Sequence, residues 1–195
     1  MITNKTFWTV AIALAFAGIA GYSAVALRFS TPGTVRCDDA WAFVADSAPS
    51  LVWNSEAIVF AETVAVHPGR VASSDGGEDL LPFQIVEFKV SNTLKGSFPD
   101  GRLFVERAGG FEPVNRVFHT IDIDGGEFVL GHSYLLFLNE QPGDTGLFYQ
   151  VNDQGRYELI DGRLQAIDPD GDRVQQLFQG RKRGEATAML RKLIG

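Results

Sequence analysis

Cys37 is the only cysteine in a chain of 195 residues. A single thiol allows no intramolecular disulfide and no multi-cysteine zinc site, and it remains either an ordinary thiol or a point of cross-linking between two chains. His67, His119 and His132 lack the close pairing of zinc ligands. They fall at a predicted turn, in an irregular stretch and just before a strand, which are positions of structural histidines. Asp168, Asp170 and Asp172 have the alternation of a calcium loop, but the sixth and twelfth positions hold Arg173 and Gln179 where an EF-hand needs Gly and Glu. The segment reads as a turn, and Asp122 to Glu127 as an acidic loop. There is no nucleophile elbow, P-loop or dinucleotide fingerprint, and no spacing selects two carboxylates for acid–base work. The sequence therefore predicts no catalytic residue, no metal site and no cofactor. Binding is the better reading; a hydrolase whose site is assembled only by folding is the enzymatic alternative.

The elements that would position any site are strands. From Trp53 to Val66 a polar lead-in opens a long β-branched run. Ile58, Phe60, Val64 and Val66 alternate with the smaller Val59, Ala61, Thr63 and Ala65, which suits a curved sheet with one bulky and one small face. His67-Pro68-Gly69 is expected to stop this strand, because Pro cannot donate to a ladder and Gly follows as turn chemistry. Arg70 to Asp79 then reads as a surface loop, Leu81 to Asn92 as a second strand and Arg102 to Glu106 as a short third. Ala108 to His119, with Gly109-Gly110 and Pro113, reads as irregular. Tyr134 to Leu138 is almost wholly apolar, as in a central strand buried on both sides. Phe148 to Val151, Arg156 to Ile160 and Arg163 to Ala166 follow, with Asp161-Gly162 as a hairpin turn. Ala186, Met189, Leu190, Leu193 and Ile194 recur at helical spacing opposite Arg191 and Lys192, as in a helix docked on the core.

Three blocks in order resemble a known group. Asn54-Ser55-Glu56 followed by Ala57 to Val64, then Phe83 to Val90 with Leu94-Lys95-Gly96, then Phe128 to Leu138 with its F-x-x-G-x-x-Y-L-x-F form, are similar to the netrin-module and tissue-inhibitor-of-metalloproteinases proteins, and to exported bacterial proteins of that type. The resemblance implies an OB-fold barrel. It also implies a role for Cys37, because these inhibitors chelate their target's zinc through a mature N-terminal cysteine. Two features depart from the group: the chain lacks its several disulfides, and Arg36 before Cys37 suits neither signal peptidase nor a lipoprotein cleavage box. In the resembled group the region of Ala108 to His119 forms an exposed edge loop. That makes Gly109, Gly110 and Phe111 candidate partner-binding residues alongside Cys37, with a plain solvated connection as the alternative.

Phe7 to Leu27 contains no charged residue, between Lys5 and Arg28. A spanning helix needs about 20 residues and a signal-peptide core about 7–15, so the length favours an anchor, while Ala24-Val25-Ala26 has the form of a cleavage site. Both readings place the rest of the chain outside the cytoplasm, as a membrane-anchored or a secreted domain. Ser30 to Gly33 reads as a linker and Cys37 to Ala48 as a short helix ended by Pro49. The net charge of −7 repels phosphate backbones and argues against a nucleic-acid partner. The expected organisation is a mainly β fold. Residues 1–29 form a transmembrane anchor or signal peptide, 30–50 a linker and short helix, 51–168 an OB-like antiparallel barrel with extra C-terminal hairpin strands, and 169–195 a helical segment. Its expected partner is a protein or cell-envelope ligand, with a metallopeptidase engaged through the Cys37 region as the alternative.

Overall fold

A computed structural model describes residues 34–37, 43–73, 80–114, 117–121, 127–167 and 172–195. The apolar run of residues 7–27, the linker of residues 30–33, Asp168 and Asp170, and most of the acidic loop at residues 122–127 lie outside them. Among the described residues no helix is long and apolar enough to cross a membrane.

The fold is mainly β, with helices at both ends of the described chain. Seven strands form the main sheet: β2 (Ala57–Ser73), β3 (Leu80–Lys95), β4 (Arg102–Ala108), β7 (Ser133–Gln141), β8 (Asp144–Gln150), β9 (Arg156–Ile160) and β10 (Arg163–Ala166). Their order is β10-β9-β7-β2-β3-β4-β8, and β8 also pairs with β7. The pairings β2–β3, β3–β4, β4–β8, β8–β7 and β7–β2 thus return to their starting strand. All pairs in this sheet are antiparallel except β4–β8, which runs parallel with Phe104 opposite Leu147. A second sheet has the order β1-β6-β5, from β1 (Thr34–Cys37), β5 (Gly110–Glu112) and β6 (Val117–Ile121). Among the described residues three α-helices complete the fold: α1 (Ala48–Trp53), α2 (Arg173–Phe178) and α3 (Arg183–Ile194).

The alternation along β2 and β7 builds two cores, one on each face. Ala57, Val59 and Ala61 of β2 and Tyr134, Leu136 and Leu138 of β7 meet Val86, Phe88, Leu103 and Val105 inside the strand circuit. Small side chains on β2 leave room there for the rings of Phe88, Phe128 and Tyr134, which stack edge to face. Ile58 and Phe60 of β2 and Leu135 and Phe137 of β7 point the other way. They pack with Tyr157, Leu164, Phe178 and Leu190 beneath the helices. The bulky face expected on β2 is therefore apolar only as far as the helices cover it; Val64 and Val66 are exposed.

Several local expectations need correction. Pro49 begins α1 rather than ending a helix, with Ser47 capping by accepting a hydrogen bond from the Ser50 amide. Pro at the first turn sacrifices an amide that has no partner anyway. β2 does not stop at His67-Pro68-Gly69 but runs to Ser73 against β3, with an irregular register between Pro68 and Val71. Its pairing with β7 ends at Glu62, so Pro68 sits on an open edge where its missing N–H disrupts no ladder. The stretch from Ala108 to His119 is a hairpin of β5 and β6 with Phe111 opposite Phe118, not an irregular loop. Asp172, expected in a turn, caps α2 by accepting from the Val174 and Gln175 amides. The Asp161-Gly162 turn is as expected: both residues have positive φ, 51° and 75°, which a two-residue hairpin of this twist requires.

Candidate functional site

The outer face of β2, β3 and β4 carries side chains that the two cores do not use. Phe83, Ile85 and Glu87 of β3 alternate with core-facing Val86 and Phe88, and Phe104 and Glu106 of β4 alternate with Leu103 and Val105. Two arginines lie on this face, each over a phenylalanine and each bonded to a glutamate. Arg70 sits 4.9 Å from the Phe83 ring centroid, and its Nε and terminal nitrogen each donate to Glu106 at 2.9 Å. Gln141 Nε2 adds a third bond to the same carboxylate at 2.6 Å. Arg102 sits 5.1 Å from the Phe104 ring centroid and donates to Glu87 Oε1 at 3.0 and 2.7 Å. The other oxygen of Glu87 meets His67 Nε2 at 3.0 Å. Each guanidinium is held over a ring while its charge is balanced, so the face offers aromatic surface without a strong field.

Where the β5–β6 hairpin folds back against β2 and β3, this face deepens into a cleft of about 380 Å³. Its walls are chiefly Pro68, Pro82, Phe83, Phe111, Pro113 and Phe118. The sequence makes the cleft by a close approach: a side chain on Gly69 would place its Cβ 2.7 Å from the Phe83 carbonyl oxygen. Gly110 does the same on the hairpin side. Its φ of 115° is in the left-handed region, and a Cβ there would meet the Gln84 side chain at 2.7 Å. The Gly109 amide donates to the Pro82 carbonyl at 2.8 Å, which fixes the hairpin to β3. An open trough of about 510 Å³ adjoins the cleft through His67 and runs along Ile85, Glu87, Arg102, Phe104 and Leu147.

The predicted residues Gly109, Gly110 and Phe111 come together here. The two glycines shape the wall, and Phe111 presents its half-exposed ring. Cys37 is the last residue of β1, in the same small sheet. The histidines are not gathered. His67 meets Glu87, His119 lies 4.0 Å from Glu112, and His132 bonds Glu158. Among the described residues no three His, Cys, Asp or Glu side chains are grouped as a metal site would need. Sequence reasoning missed Pro82, Phe83 and Phe118 of the cleft, and the Arg–Phe–Glu pairs. The period-two pattern of β3 does place Phe83 and Glu87 on one face, but only the cross-strand register shows what stands opposite them.

Hydrogen bonds from His67 and then Arg102 hold the Glu87 carboxyl below the usual glutamate range. A group with a depressed folded pKa contributes stability that is present above its unfolded value and lost as pH falls through the folded one. Acid titration of unfolding is expected to show a loss below about pH 4.5 that is reduced in Glu87→Gln. The same acid limb in both proteins would show that the bridge contributes nothing.

No family model matches the sequence, and no curated protein matches it.

Proposed function

We propose that this chain is a non-enzymatic binding module built on an OB-like barrel, working outside the cytoplasm and taking a protein ligand in the cleft between Phe83 and Phe111. The barrel reading is supported by the five-strand circuit β2–β3–β4–β8–β7 and by its single parallel pair, between the third and fifth strands along the chain. OB-folds are five-stranded Greek-key barrels that use the outer face of their second and third strands for ligands. Here those strands are β3 and β4, which carry every member of the Arg–Phe–Glu pairs except Arg70 of β2. The extracytoplasmic reading rests on the apolar run of residues 7–27.

One observation carries the functional reading: the cleft is apolar and aromatic, with Gln84 and His67 as its polar groups, and His67 leads into a trough where the charges of Glu87 and Arg102 are balanced against each other. Such a site accepts an apolar side chain of an extended peptide and fixes its backbone at the rim. The chain's net charge of −7 and the neutralised arginines disfavour a polyanion in this position.

The test is selection of displayed random peptides on the full chain. Peptides with an aromatic or large aliphatic anchor are expected to be enriched, and Phe111→Ser is expected to weaken them roughly ten-fold or more. The reading fails if no sequence class is enriched, or if the enriched peptides bind Phe111→Ser as well as they bind the parent.

A further inference from the structure

We propose that the helical layer formed by α1, α2 and α3 docks on an anionic lipid surface. The starting observation is charge. Residues 172–195 carry Arg173, Arg181, Lys182, Arg183, Arg191 and Lys192 against only Asp172 and Glu185, within a chain of net charge −7. Among the described residues, none of those six cations is in an ion pair with a carboxylate.

The fold explains why cations collect here without being neutralised. Of the six, Arg181 is held by a carbonyl group at a helix end, where the backbone's partial negative charge attracts it, and Arg163 and Lys95 of the neighbouring strands are held in the same way. Arg163 donates to the Gly180 carbonyl at 2.8 Å, just past the end of α2, and Arg181 donates to the Leu177 carbonyl in its last turn. Lys95 Nζ donates to the Val52 carbonyl of α1 at 2.9 Å. Arg183 lies 4.7 Å from the Phe60 ring centroid and donates to Ser91 Oγ. Neutral acceptors orient these side chains and leave their full charge in place. Arg173, Lys182, Arg191 and Lys192 are exposed.

The second observation separates a lipid surface from other anionic partners. α1 and α3 share one core through Leu51, Val52, Ala186 and Leu190, and this layer leaves large apolar side chains in solvent. Trp53, at the last position of α1, is 84% exposed; Val44 and Leu193 are exposed as well. A nucleic acid or an acidic protein loop has no general use for an unpocketed tryptophan on a helix packed against a cation-bearing one. A bilayer interface takes both, the ring at headgroup depth and the cations against anionic lipid. The inference uses no residue of the cleft, so either can fail without the other.

The experiment follows Trp53. The full-length chain with Trp8→Phe and Trp41→Phe keeps Trp53 as its sole tryptophan. It is mixed with vesicles of phosphatidylcholine alone, or of phosphatidylcholine with phosphatidylglycerol, each carrying a doxyl-labelled lipid. Trp53 emission is expected to be quenched more strongly by the vesicles containing phosphatidylglycerol, because the apolar run of residues 7–27 can bring the chain to either vesicle but the cations distinguish them. This excess should fade as salt shortens the screening length from about 10 Å at 0.1 M to about 3 Å at 1 M. Combined Lys182→Glu, Arg191→Glu and Lys192→Glu is expected to lower the ratio of docked to undocked protein by more than the roughly hundred-fold that loss of three cations alone would give. The matching Gln variant should give an intermediate loss. These side chains are exposed, and an unchanged near-ultraviolet circular dichroism spectrum verifies folding. Equal quenching by both vesicles, quenching by neither, or an unaffected charge-reversed variant overturns the proposal. So does a Trp53 response to RNA or an acidic polypeptide but to no vesicle.

Discussion

Replacing Phe137 by alanine is expected to destabilise the protein by about 3–5 kcal/mol, the largest effect of any single substitution considered. Phe137 has no exposed surface and sits where three elements meet. Its ring centroid lies 6.3 Å from that of Tyr157 on β9 and 5.7 Å from that of Phe178 on α2. Tyr157 and Phe178 are themselves 5.1 Å apart. Removing the ring opens a void that none of the three elements can close alone, because β7 is held on both sides by β2 and β9. The total stability of a domain is only about 5–15 kcal/mol, so the variant should unfold at markedly lower denaturant concentration. Val129→Ala, at an exposed position, serves as the control, with an expected change within about 0.5 kcal/mol. A Phe137→Ala loss below about 1 kcal/mol would mean that the helical layer is not seated on this face of β7.

The legible part of this chain is the part whose pattern is locally complete. β9 and β10 match the expected strands residue for residue, because Asp161-Gly162 can adopt positive φ and leaves a two-residue hairpin little choice. β7 was readable because Tyr134 to Leu138 is apolar at every position, and all five side chains are fully buried. What escaped depends on partners far away in sequence. Pro68 reads as a terminator until its edge is known to be open. Arg156 opens an expected strand, and nothing local shows that it is buried over the Phe128 ring at 4.1 Å, where burial lowers its pKa to about 10. Gln154 lies in the connection between two expected strands, but its amide bonds both the N–H and the C=O of Ala45 and so pins the entry to α1. The candidate site shows the same division. Gly109, Gly110 and Phe111 were marked by the resemblance, which implies an exposed edge loop there, whereas Pro82, Phe83 and Phe118 join them only through the β2–β3 register and the β5–β6 pairing.

That dependence makes Gly69→Ala the most informative change near the cleft. The added Cβ would lie 2.7 Å from the Phe83 carbonyl oxygen and 2.9 Å from its carbonyl carbon. Both are backbone atoms, so the strain cannot be relieved by turning a side chain, and β2 must move off β3. Overpacking of this kind costs about 1–3 kcal/mol. The movement would carry Arg70 away from Glu106 and shift Phe83, opening the cleft wall. Hydrogen exchange is expected to accelerate at the amides of residues 65–73 and 80–87, while residues 134–138, between β2 and β9, keep their protection. Gly184→Ala is the matched control. Nothing lies within 4 Å of its added Cβ, and in a helix the change should stabilise by roughly 0.5–1 kcal/mol. A Gly69→Ala protein with the parent's exchange pattern and stability would show that β2 does not run against β3 beyond Pro68. The cleft, whose floor is built by that contact, would then have to be assigned a different wall.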